Sequence, residues 1–157
     1  LKLAGNIAAM LIAFISIIAL IDYSIELFTN LIGLKGVSLD EILGIIFQPL
    51  AWSMGIPWNE SLLVGTLMGK KIVFTELIAY ADLKKVLATS EISERTAIIC
   101  SYALCGFANF GSIGIQLGGI GTIAPDRRKD LAKIVFKAMI GGALASWLTA
   151  TIAGILI

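Results

Sequence analysis

A carboxylate, Glu76, stands between Ile72, Val73 and Phe74 on one side and Leu77, Ile78 and Ala79 on the other. Insertion scales put an acidic side chain at the middle of a membrane helix at about 2.5–3.5 kcal/mol, so such a residue normally faces a cavity and has a partner or a ligand. The competing reading is structural: an exposed carboxylate at a helix end, or an ion pair with Lys70, Lys71 or Lys84. A second polar group lies in Cys105-Gly106-Phe107-Ala108-Asn109-Phe110-Gly111-Ser112, inside an uncharged apolar run. Asn109 and Ser112 are three residues apart, which puts amide and hydroxyl on one face if the segment is helical. A break there would also free backbone groups to point into a cavity. These are hydrogen-bonding groups suited to a polyhydroxylated ligand. They could equally glue two helices together, as Gly, Ser and Asn do in membranes. Phe107 and Phe110 read first as packing residues, although an apolar wall beside a few polar groups is how small-molecule sites are built. Gln116, Thr66, Ser101 and Asn6 are expected to be helix contacts.

Other chemistries find no support. There is no histidine and the net charge is +1, so imidazole chemistry and a basic surface for nucleic acid are both missing. No Ser/His/Asp set, metal-ligand cluster or phosphate-binding loop can be assembled, and the chain does not read as an enzyme. Cys100 and Cys105 fit neither a CxxC pair nor a secreted disulfide framework and read as packing cysteines.

Hydrophobic residues make up 58% of the chain and charged ones 15%, against roughly 45–50% and about 25% in soluble domains. Mean hydropathy is +0.95, and the bilayer is the better solvent for such a chain. The fold class expected is an all-α membrane protein of transmembrane helices with a re-entrant helical hairpin and a broken helix. Residues 1–22 read as a transmembrane helix, since about 20 apolar residues span the hydrocarbon core. Residues 23–58 read as interfacial helices: an amphipathic piece over 23–36, then a helix begun by the capping-box spacing of Ser38 and Glu41 and kinked at Pro49. Trp52 and Trp58 suit the headgroup level. Residues 59–88 form two short helices, the first capped by Asn59, that meet in apolar surroundings as a re-entrant hairpin. Residues 94–123 form a span that its glycines should break near 107–112. Residues 133–157 form the last transmembrane helix. The basic cluster Arg127, Arg128, Lys129, Lys133 and Lys137 places its loop on the cytoplasmic side and the end of the last helix on the extracytoplasmic one. Lys2 agrees with that orientation and Lys84-Lys85 count against it. The chain starts at Leu1 without a signal-peptide pattern and is expected to be part of something longer.

The segment Gly69-Lys70-Lys71-Ile72-Val73-Phe74-Thr75-Glu76-Leu77-Ile78-Ala79-Tyr80 resembles the G-x-K-x-x-x-N-E-F-V-A-Y signature of the concentrative nucleoside transporter family. Gly106-Phe107-Ala108-Asn109-Phe110 resembles that family's G-F-A-N-F. The resemblance implies the C-terminal, substrate-binding half of a nucleoside symporter coupled to sodium or protons and working by alternating access past a scaffold helix. It implies a homotrimer in the plasma membrane (the inner membrane of a bacterial cell), a missing N-terminal half holding the coupling-ion site, and no other cofactor. Carried over residue by residue, Glu76, Asn109 and Ser112 contact the ribose hydroxyls, Phe107 lies beside the ligand, and Thr75 stands at the hairpin tip where the family has asparagine. Leu77 and Ile78 replace phenylalanine and valine, and Gly111 replaces the first of two serines. The alternative is a non-transporting gating or scaffold module whose polar residues hold helices together.

Overall fold

The computed structural model describes residues 2–31, 33 and 37–157, and among them the chain is helical and has no strand. Its helices are α1 (Lys2–Leu31), α2 (Leu39–Ser53), α3 (Trp58–Val73), α4 (Glu76–Thr89), α5 (Glu94–Leu104), α6 (Phe110–Ile123) and α7 (Arg128–Leu156), with a 3-10 turn at Pro125–Arg127 before α7.

Local chemistry explains most of the boundaries. At the start of α2 the Ser38 N–H donates to Glu41 Oε2 at 3.2 Å, as the capping-box spacing predicts. At the start of α5 the Thr96 N–H donates to Ser93 Oγ at 3.3 Å. After α4, Ser90 takes a left-handed conformation (φ 56°) that stops the helix.

Three boundaries differ from expectation. α1 does not end near Asp22 but runs on to Leu31, 30 residues in all, about 45 Å at helical rise. Asp22 accepts the Leu39 N–H at 2.7 Å, so its charge ties α1 to the start of α2 instead of ending the helix. Lys35 and Gly36, the end of the piece expected over 23–36, lie outside the described residues. α3 starts at Trp58, with Pro57 (φ −56°) in the cap position assigned to Asn59; the proline's fixed φ is already suited to a helix start. α7 starts at Arg128, not near 133, so Arg128, Lys129, Lys133 and Lys137 ride on its first turns; Arg and Lys are good helix formers, and Asp130 sits in the first turn where the helix dipole favours an acid. α2 passes through Pro49 without interruption.

α1 runs antiparallel to α6: Gly118 faces the backbone of Asn6 and Ile7, and Gly114 faces Met10 and Phe14. α2 runs antiparallel along α3, with Gly69 against the Asp40 carbonyl and Gly44 against Thr66. α5 and α7 are also antiparallel, joined where Arg95 Nη2 donates to the Gly154 carbonyl at 2.6 Å. α3, α4, α5 and α7 enclose the core, built from Val64, Met68, Ala79, Leu83, Ile99, Leu104, Ala143 and Trp147. By contrast, much of α1 and α7 presents large apolar side chains outward, among them Ile12, Leu20, Phe28, Leu148 and Ile155. Both helices are long and apolar enough to cross a membrane.

The bundle has two polar ends. At one, Glu60 Oε2 accepts from the Ser93 N–H (3.2 Å) and hydroxyl (3.1 Å), Arg95 also reaches the Gly55 carbonyl, and Trp52 and Trp58 meet edge to face at 6.3 Å. At the other, Asn6 Nδ2 donates to Thr122 Oγ1 at 3.1 Å, close to the basic start of α7.

Candidate functional site at two helix breaks

Two interruptions of the helical ladder create the site. Between α3 and α4, Phe74 (φ −101°, ψ −99°) closes one helix and Thr75 (φ −151°, ψ 159°) opens the next. α3 and α4 then lie side by side, because Lys70 and Asp82 form an ion pair at 2.6 Å across the turn. Between α5 and α6 the chain leaves helix at Cys105 and re-enters at Phe110, with Asn109 (φ −145°, ψ 170°) as cap. Gly106 sits in this gap at φ +141°, a conformation that residues with a Cβ rarely adopt.

The breaks bring Glu76 and Asn109 together. Glu76 is the first residue of α4, where the partial positive charge of the helix N-terminus favours a carboxylate. Its Oε2 accepts a hydrogen bond from Asn109 Nδ2 at 3.1 Å. Asn109 is buried and caps α6, its Oδ1 accepting the Ser112 N–H at 2.8 Å. Two helix N-termini thus present an amide and a carboxylate side by side. Once these bonds are counted, Glu76 Oε1 and the second N–H of Asn109 Nδ2 have no partner among the described residues. An acceptor beside a donor is the pattern that a pair of vicinal hydroxyls can answer.

Ser112 is placed differently from Glu76. It is buried, and its hydroxyl donates to the Asn109 carbonyl at 2.6 Å while accepting the Asn109 N–H at 3.3 Å. That hydroxyl fixes the asparagine. Phe107 is 56% exposed beside the break, an uncovered ring and not a core residue. Thr75 is half-buried and lines an apolar cavity of about 120 Å³ with Ile15, Ile18 and Ile78 on the α1 side of the turn. Asn6 forms the α1–α6 contact already described and Thr66 packs against α2, so these act as helix contacts, whereas the Ser101 hydroxyl donates within α5 to the Ala97 carbonyl at 2.8 Å. Cys100 is buried, whereas Cys105 is exposed in the gap between α5 and α6.

From the sequence, Lys71 is a possible ion-pair partner of Glu76 and stands at the lysine of the G-x-K-x-x-x-N-E-F-V-A-Y pattern. Lys71 is fully buried, and its Nζ donates to the Ala103 carbonyl at 2.9 Å and to Ser146 Oγ at 2.8 Å. The available signal was a lysine directly before the apolar run Ile72-Val73-Phe74. Its partners, a carbonyl and a distant serine, leave no mark in the sequence.

The family model described as Na+ dependent nucleoside transporter C-terminus matches residues 1–154. The chain is 46% identical over 157 residues to the uncharacterized transporter YutK of Bacillus subtilis, covering 100% of this chain and 38% of that protein. It is 39% identical over 168 residues to sodium/nucleoside cotransporter 1 of Rattus norvegicus, covering 99% of this chain and 26% of the relative. Among solved structures, it superposes on a CNTnw variant in an outward-facing state with a TM-score of 0.93 at 40% identity, over 99% of this chain and 39% of that one. On CNTnw in an inward-facing substrate-bound state the TM-score is 0.78 at 42% identity, over 96% of this chain and 37% of that one. The chain therefore spans less than two fifths of the length of these proteins.

Proposed function

Because the chain belongs to the family of Na+ dependent nucleoside transporter C-termini, we propose that it is the substrate-binding C-terminal half of a nucleoside symporter in the plasma membrane. The observation that carries the proposal is the Glu76–Asn109 pair at 3.1 Å. An ionised carboxylate accepting from a sugar hydroxyl makes a charge-assisted hydrogen bond, and the neighbouring amide N–H offers the complementary donor. Ser112 holds Asn109 in place, and Phe107 supplies apolar surface beside the pair.

The α3–α4 turn acts as a re-entrant hairpin and α5–α6 as a broken transmembrane helix, the two breaks lying at one depth. α1 serves as the scaffold helix, and the hairpin, broken helix and α7 form the unit that carries the substrate past it in alternating access. The better superposition on an outward-facing than on an inward-facing structure supports a rearrangement within this half. Sodium is the favoured coupling ion, since a relative bears the name sodium/nucleoside cotransporter. Its site and the groups that read the base belong to an N-terminal half, and the uncovered apolar face of α1 suits lipid or the other protomers of a trimer. Arg127, Arg128, Lys129, Lys133 and Lys137 assign the Asn6–Thr122 end to the cytoplasm and the end of α7 to the opposite side.

The test is Glu76→Gln in the full-length protein. Nucleoside uptake should fall roughly 10- to 100-fold, the worth of a hydrogen bond to a charged group, at unchanged membrane insertion. Unchanged uptake removes Glu76 from the site. A gating or scaffold module would use the same Glu76–Asn109 bond as glue and would bind no nucleoside.

A further inference from the structure

Lys71 lies two residues before the end of α3, and Ala103 lies one residue before the end of α5. In an uninterrupted helix the Ala103 carbonyl would accept the N–H four residues on. The break removes that donor, and the Lys71 ammonium replaces it at 2.9 Å. The C-terminal end of a helix, with its partial negative charge, is where a cation is favoured. The second acceptor, Ser146 Oγ at 2.8 Å, belongs to α7 and passes its own proton to the Ala143 carbonyl at 2.8 Å. One ammonium thus fastens the ends of α3 and α5 to the middle of α7. Gly106 gives it room: a Cβ there would lie 3.2 Å from Ser146 Cβ and 3.6 Å from Lys71 Nζ.

The fastening is linked to the Glu76–Asn109 pair by two short stretches of chain. From Lys71 the chain runs through the turn at Phe74 and Thr75 to Glu76. From Ala103 it runs through the gap at Cys105 and Gly106 to Asn109. The Lys71–Ala103 bond and the Glu76–Asn109 bond close these two short stretches into a ring, so a shift at the first bond displaces the second. Filling space does not require an ammonium, since Met68 and Ile72 fill neighbouring positions with apolar atoms.

We propose that Lys71 is a positioning residue for sugar recognition: it holds the α3–α4 turn and the α5–α6 gap in register, so that Glu76 and Asn109 meet a ribose with the correct spacing. The proposal rests on the sugar reading of that pair. Its test uses the full-length transporter in detergent and compares binding of uridine and adenosine with binding of their 2′,3′-dideoxy counterparts. Glu76→Gln establishes the reference by reducing the preference for the ribonucleoside at least tenfold; if it leaves the preference intact, the sugar reading fails irrespective of Lys71. With that reference in place, Lys71→Met should weaken ribonucleoside binding about tenfold, one charged hydrogen bond's worth, and change dideoxynucleoside binding less than about twofold. Ser146→Ala keeps the ammonium and removes one of its acceptors, and should lower the preference to an intermediate value. Equal losses for both ligand types in Lys71→Met mark a general packing role and overturn the proposal. Where Lys71→Met fails to assemble, Ser146→Ala decides, and a wild-type preference in that variant overturns the proposal.

Discussion

Lys70 Nζ and Asp82 Oδ2 are 2.6 Å apart, whereas a separation of 12 positions along the chain would cover about 18 Å on a continuous helix. The contact records the reversal of the chain at Phe74 and Thr75. Asp82 also holds Lys85 at 2.7 Å. Asp82→Asn should therefore lower stability by about 1–2 kcal/mol, the pair being only partly buried. Thermal unfolding of the purified full-length protein measures this, and a Lys70→Met/Asp82→Asn cycle isolates the pair. A coupling energy near zero would mean that the turn is held by other contacts.

Asn109 and Ser112 separate recognition from capping. Asn109→Ala removes both the α6 cap, about 1 kcal/mol, and the partner of Glu76, and nucleoside affinity should fall at least about tenfold. Ser112→Ala removes only the bonds that fix the asparagine, so its loss in equilibrium binding should be smaller. The reverse order would make Ser112 the ligand contact.

Glycine substitutions should divide by what lies opposite. A Cβ at Gly69 would stand 2.5 Å from the Asp40 carbonyl oxygen and one at Gly114 would stand 2.8 Å from that of Met10, both immovable backbone atoms. Gly69→Ala and Gly114→Ala should lower the melting temperature and the yield of folded protein. Gly141, with nothing within 4 Å, should accept alanine and gain about 0.5–1 kcal/mol from helix propensity.

The two cysteines should react unequally. Cys105 is exposed beside the break and Cys100 is buried, so a small polar maleimide should label Cys105 first. Bound nucleoside should slow that labelling, and mass spectrometry of the labelled peptides reads both effects. Labelling unaffected by nucleoside would place the ligand away from this gap.

Elements marked by residue type were legible in the sequence. The α5–α6 break follows from glycines and polar residues within an apolar run, and the start of α2 follows from the spacing of Ser38 and Glu41. Glu76 and Asn109 stood out because a membrane segment keeps few unpaired polar groups. Features set by a distant partner were not legible. α1 continues past Asp22 because that carboxylate is taken up by the Leu39 N–H. The burial of Lys71 was not legible because its partners are a carbonyl freed by a break and a serine of α7. The bonds between the Ser112 hydroxyl and the backbone of Asn109 likewise leave no mark in residue type.

The seam between α1 and α6 has a mechanical consequence. Where Gly114 and Gly118 face α1, the backbone of Asn6, Ile7 and Met10 comes close and the Phe14 ring seats against Gly114. Side chains larger than hydrogen at these positions would force the two rods apart along their whole length. At the end of this contact the Asn6–Thr122 bond at 3.1 Å fixes the register of the long helix against its neighbour.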